Sequence, residues 1–67
     1  MRNYYKAVIY FSPMIRLHIR ATSVKKLLRK LRLQDVSKAE RICLEEYRNG
    51  ERTKRYEVTN IIKRIML

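Results

Sequence analysis

Residues 37–60, SKAERICLEEYRNGERTKRYEVTN, decide the fold, because the stretch supports two incompatible periodicities. As a helix, Ser37-Lys38-Ala39-Glu40 forms a capping box, Ala39, Ile42, Cys43 and Tyr47 share a face, and Asn49-Gly50 ends the element. As a hairpin, Asn49-Gly50 marks the turn, and a three-residue loop sets Ile42 and Leu44 against Tyr56 and Val58, with Glu45 or Glu46 facing Arg55 or Lys54. The hairpin is the preferred reading, since residues 54–59 need a partner strand and the pairing explains the acidic residues. A helix over residues 37–49 is the alternative.

Upstream, residues 4–11 (YYKAVIYF) and 15–21 (IRLHIRA) are rich in aromatic and β-branched residues, and Ser12-Pro13-Met14 breaks the run between them. The second segment alternates Ile15, Leu17, Ile19 and Ala21 with Arg16, His18 and Arg20, as a half-buried strand requires. Matching its apolar set to Tyr5, Ala7, Ile9 and Phe11 demands an odd loop, which the three residues Ser12-Pro13-Met14 supply. The opposite face then carries Lys6, Tyr10, Arg16, His18 and Arg20.

Thr22 or Ser23 caps the following helix, in which Val24, Leu27, Leu28 and Leu31 recur as one apolar stripe, ending near Leu33. Downstream, Thr59 or Asn60 caps a short helix with Ile61, Ile62, Ile65 and Met66 on one side. Each half therefore reads strand, strand, helix, and Ala21-Thr22-Ser23-Val24 parallels Val58-Thr59-Asn60-Ile61 at the strand-to-helix junction. The expected fold is a two-layer α+β domain of order ββαββα, an antiparallel sheet with both helices on one face.

The 67 residues form a single small basic domain, 1–67, and its 17 Lys and Arg against six Asp and Glu give a net charge of +11. Such a body repels itself unless an anionic partner or salt is present, and solubility alone needs a net charge of only about 2–8 in magnitude. Cys43 is the only cysteine, which excludes an intramolecular disulfide and points to an intracellular, cytoplasmic protein. The first residues lack the long apolar core and small-residue cleavage site of a secretion signal, and no stretch approaches the roughly 20 apolar residues of a membrane span.

Catalysis needs positioned acids, bases, nucleophiles or metal ligands, and the inventory is one His, one Cys, one Asp and five Glu. His18 and Cys43 stand alone without ligand spacing, and Gly50, the single glycine, cannot build a phosphate loop. Glu45 and Glu46 point to opposite faces of a strand and so cannot act as paired carboxylates. They read instead as solvent-exposed partners for Lys54 and Arg55. No enzyme, cofactor or metal site is expected.

The cations form three clusters. Lys6, Tyr10, Arg16, His18 and Arg20 share the strand face, where cations neutralise phosphates and an exposed Tyr stacks on a base. Lys25, Lys26, Arg29, Lys30 and Arg32 crowd one helix, where like charges three and four apart repel. Residues 48–55 (RNGERTKR) place Arg52 and Lys54 beside a turn that suits a groove. With the helices on one sheet face, the first two clusters lie on opposite sides, out of reach of one flat duplex.

The expected function is non-enzymatic binding of nucleic acid, DNA or RNA. The alternative is a small interaction module or inhibitor docking on an acidic surface of a nucleic-acid-handling host enzyme. The apolar tail of residues 61–67 (IIKRIML) suits a homodimer. The chain has no ribonucleoprotein aromatic motif, GXXG loop, zinc knuckle or secure helix-turn-helix. Its strand, turn, strand, basic-helix order resembles that of sheet-reading DNA-binding domains, and its size and bias suit a small phage or mobile-element protein.

Overall fold

The computed structural model describes residues 2–66, of Met66 the backbone only, and it resolves the ambiguous stretch as strands. The elements are β1 (Tyr4–Tyr10), β2 (Arg16–Ala21), α1 (Val24–Leu31), β3 (Arg41–Arg48), β4 (Glu51–Glu57) and α2 (Thr59–Met66). They build one four-stranded antiparallel sheet of order β2-β1-β3-β4, so each hairpin contributes a central and an edge strand. The fold is the expected two-layer ββαββα arrangement.

The helical alternative for residues 37–49 fails because β3 is a central strand. Ile42 and Cys43 are both buried, Ile42 in the core under the helices and Cys43 on the opposite face beneath the Arg55 side chain, so the burial of this central strand need not alternate. Before β3, the chain makes a tight loop instead of a capped helix. The Asp35 carboxylate accepts from the Ser37 amide at 3.0 Å and its hydroxyl at 2.6 Å, and these bonds hold it below the usual carboxylate range. Val36 and Ala39 plug the core from this loop, so their three-residue spacing is a loop contact.

The first hairpin has the expected register, with Tyr5 opposite Ala21, Ala7 opposite Ile19 and Ile9 opposite Leu17. The loop closes through Phe11 N to Ile15 O at 2.9 Å, and the Ser12 hydroxyl accepts from the Met14 and Ile15 amides at 3.3 and 3.1 Å. In the second hairpin the expected pairing of Leu44 with Tyr56, Glu45 with Arg55 and Glu46 with Lys54 is present, but the three-residue loop is not. Asn49 and Gly50, with φ of 54° and 80°, form a two-residue turn, and the register shifts between Glu46 and Tyr47. Both residues lie in the left-handed region, which matches the twist of a tight hairpin, and the extra residue is taken up by a bulge. Thr53, at that bulge, donates its hydroxyl to Glu46 O at 3.2 Å and Glu46 Oε2 at 3.1 Å.

Ala7, Ile9, Ile19, Ala21, Ile42, Leu27, Leu31 and Ile62 join in one core between the sheet and the helices. Ser23 caps α1 by accepting from the Lys26 amide at 3.2 Å, and the helix ends at Leu31, short of Leu33, in bonds from Leu33 N to Lys30 O and Gln34 N to Leu31 O. Val24 of the expected stripe is exposed, lining with Tyr5, Leu44 and Tyr56 a pocket beside the sheet.

Among the described residues α2 packs against β3 alone, and it departs further from expectation. Of its isoleucines only Ile62 is buried, while Ile61 and Ile65 are 59% and 56% exposed; the Met66 side chain and Leu67, part of the suggested dimer tail, lie outside the described residues. The reason is the junction. Val58 N donates to Ile42 O at 2.8 Å and Ile42 N donates to Thr59 Oγ1 at 2.9 Å, which pins the helix start to the beginning of β3 with Ile62 turned into the core. The Thr59 hydroxyl thus serves the strand and does not cap the helix. No helix among the described residues is long and apolar enough to cross a membrane.

Candidate nucleic-acid interface

Both helices lie on one face, so the other sheet face is bare, and strand pairing dictates what it shows. Arg20, Lys6, Glu45 and Arg55 form one row across the strands, His18, Val8, Cys43 and Glu57 the next, and Arg16, Tyr10 and Arg41 a third. Val8 and Cys43 are only 2% and 3% exposed although no helix covers them. Long polar side chains roof them: Arg55 Nη2 donates to Tyr10 Oη at 3.2 Å and to Cys43 Sγ at 3.6 Å.

Aromatic rings and cations interleave on this face. Arg16 and Arg41 lie over the Tyr10 ring at 5.8 and 5.7 Å from its centroid. Tyr4 and Tyr47, opposite one another in the register, stack at 4.7 Å with planes 5° apart; Arg20 lies over Tyr4 at 5.3 Å and Lys6 over Tyr47 at 4.9 Å. Each such contact contributes about 0.5–1 kcal/mol at an exposed site.

Glu45 corrects the reading of the adjacent carboxylates as solvent-exposed. It is 4% exposed and sits at the hub of the face, within 3.5 Å of Lys6 Nζ, 3.2 Å of Arg52 Nη1 and 3.6 Å of Arg55 Nε, and it accepts from Tyr47 Oη at 3.0 Å. Burial pushes its carboxyl up, but the Tyr47 hydroxyl, Arg52 and Lys6 together outweigh that and hold it below the ordinary carboxylate value. The Tyr47 phenol, ahead of a smaller burial penalty, and Glu45 hold Lys6 above its ordinary value. Glu46, on the helix side, takes Tyr5 Oη, Arg48 Nη2 and the Thr53 hydroxyl.

The expected site residues therefore divide. Lys6, Tyr10, Arg16, His18 and Arg20 do share the open face, while Lys25, Lys26, Arg29, Lys30 and Arg32 project from α1. The turn cluster is split: Arg52 points to the open face and Glu45, whereas Lys54 pairs with Glu46 on the helix side. Arg41, Tyr4 and Tyr47 belong to the open face but escaped the sequence reading, and Arg55, read as a carboxylate partner, joins them there. Arg41 was findable only from its place opposite Tyr10, which becomes visible once residues 41–48 are a strand.

The two main clusters are not isolated by the sheet. α1 packs over β1 and the edge strand β2, and Lys30 Nζ donates to Arg20 O at 2.7 Å while Lys26 Nζ reaches Thr22 Oγ1 at 3.4 Å. The helix cations and the strand cations thus sit on adjoining elements of a Cα trace only 16 Å deep along its shortest axis. Residues 16–32 carry seven Lys and Arg and no acid, and none of the seven forms an ion pair among the described residues. Among the described residues no group of three or more His, Cys, Asp or Glu is placed to hold a metal ion. Comparison with protein-family models, curated proteins and solved structures finds no match to this chain.

Proposed function

We propose that this protein is a non-enzymatic nucleic-acid-binding protein that holds the phosphate backbone along β2 and α1. The observation that carries the proposal is the run of Arg16, Arg20, Lys25, Lys26, Arg29, Lys30 and Arg32 on the adjoining elements β2 and α1 and the cap of α1, without carboxylate partners among the described residues although the same molecule pairs Glu45 with three cations. Like charges at this density oppose folding unless an anion answers them, and a phosphate every few ångströms answers a row of cations.

Binding titrations across salt test the proposal. With roughly five phosphates neutralised, log affinity falls against log salt with a slope of about −4 to −5 on duplex DNA and less steeply on a single strand. Absence of binding at low salt, or a flat titration, sinks it. The same charges would also steer docking to an acidic protein surface. A protein partner retained from lysate after nuclease digestion, with no nucleic acid co-purifying from undigested lysate, favours docking instead.

A further inference from the structure

The open face is too broad for a groove. Four strands about 4.8 Å apart, with side chains, exceed the roughly 12 Å of the B-DNA major groove, which admits one helix or a two-stranded ribbon. Its rings are equally unsuited to a duplex, whose bases stack on each other; they suit bases that are unstacked. At one end of the face, Tyr10, Ser12, Pro13, Arg16, Glu40 and Arg41 line a cleft of about 440 Å³. That volume lies within the range of about 300–1,000 Å³ typical of small-ligand sites.

Its polar groups are mixed and available. Arg16 has no ion pair among the described residues, and Arg41 meets only Glu57, at 3.8 Å with side chains 55% and 64% exposed, a contact that an incoming anion displaces readily. The exposed Glu40 is held at the rim by its amide, which donates to Tyr10 O at 2.8 Å. A carboxylate there disfavours a second phosphate and accepts hydrogen bonds from the amino group of a base. The Tyr4–Tyr47 pair at the other end is a poorer platform, because each ring is stacked on the other at 4.7 Å, whereas the Tyr10 ring meets no other ring and carries only the Arg16 and Arg41 guanidiniums, 5.8 and 5.7 Å from its centroid.

We infer that this cleft is a base-binding subsite for single-stranded nucleic acid, with Tyr10 and the Arg41 guanidinium as the stacking platform for one unpaired base and Arg16 on the adjoining phosphate. Arg16 lies on β2, which leads into α1 and its cations, so the backbone of the nucleic acid runs from the cleft along β2 toward α1. The inference rests on the proposed nucleic-acid binding and adds strandedness to it.

Fluorescence anisotropy at one fixed salt concentration compares three labelled probes of about 12 nucleotides: oligothymidylate, its duplex with oligoadenylate, and an abasic strand of the same length. Stacking of one base gives oligothymidylate an advantage of about tenfold over the other two. Tyr10→Leu removes that advantage and leaves abasic-strand affinity unchanged, while Tyr10→Phe keeps it; circular dichroism checks that the variants fold. Duplex or abasic strand bound as tightly as oligothymidylate, or a loss from Tyr10→Leu that is equal on all probes, overturns the subsite while salt-dependent binding stands. No binding of any probe at low salt overturns both. If the leucine variant does not fold, the ranking of the three probes by the unmodified protein decides alone.

Discussion

The two ββα halves share one element order and use their charge in opposite ways. Through residue 34 the chain has nine Lys and Arg and no acid; from residue 35 onward, eight Lys and Arg accompany all six acids. The difference follows what each half must do to be held. α1 covers β1 and β2 with Leu27 and Leu31, so the first hairpin needs no ion pairs and, Lys6 apart, makes none among the described residues. β4 is exposed at every position and neither helix packs on it, so it relies on β3 for its backbone bonds and on Glu45 and Glu46 for its side chains. Charge is structural in the second half and free for a partner in the first.

The sharpest way to break that comparison is through the helices. Leu27→Ala removes a fully buried side chain from the half held by packing and costs about 3–4 kcal/mol, whereas Ile62→Ala, at the sheet rim, costs about 2. A domain of this size has a total stability of only about 3–10 kcal/mol, so the first variant is largely unfolded in mild urea. Equal shifts in the denaturation midpoint would show that α2 anchors its half as firmly as α1 does.

Next in size is the charge itself. Replacing Lys25, Lys26, Arg29 and Lys30 together by Ala lowers nucleic-acid affinity by about a hundredfold at moderate salt and flattens the salt slope by about three to four, without loss of thermal stability. Relief of like-charge repulsion along α1 raises helix stability by a few tenths of a kcal/mol per pair. Arg52→Ala with Arg55→Ala does the reverse, lowering stability by about 1 kcal/mol through Glu45 and leaving the salt slope nearly intact. Equal effects on binding from the two sets would erase the distinction between the halves.

Glu45→Gln removes the hub charge while keeping its shape. Lys6 is nearly buried, but Arg52 and Arg55 are half and more than a third exposed and regain water, so the cost is about 2 kcal/mol, below that of a fully buried pair. The folded carboxyl titrates below its unfolded value of 4.5, so its stabilisation is complete above that pH and is lost as pH falls through the lower, folded value. Melting curves from neutral to acid pH should therefore converge for the variant and the unmodified protein. Parallel curves would mean that Glu45 is not the residue that titrates.

The turns give the smallest effects. Gly50→Ala costs about 1 kcal/mol for its φ of +80° alone, since an added Cβ meets nothing within 4 Å. Ser12→Ala removes the acceptor of two loop amides, which water then solvates, and costs about 0.5–1 kcal/mol. The first turn is thus held by a side chain and the second by backbone conformation, and thermal melts of the two variants compare them.

Much of this was legible in the residues. The alternation of Ile15, Leu17, Ile19 and Ala21 determined the first hairpin's register, because a one-residue slip would turn the whole apolar set to water. The Ser23 cap and the Leu27–Leu31 spacing located α1, and the pairing of the Glu45 region with Arg55 set the second register. Tertiary structure decided the rest. The hairpin reading of residues 41–48 came from their pairing with residues 54–59, but their place as a central strand beside β1 is recorded by no local propensity. Ile61 and Ile65 are exposed because α2 is tied to β3 at Ile42 with only Ile62 turned into the core, and Glu45 is buried because three cations from two neighbouring strands, β1 and β4, converge on it. Periodicity, being a property of neighbours along the chain, determined each element's faces; which face meets which partner, and which charges are left free, depends on residues far apart in sequence and was decided only when they packed.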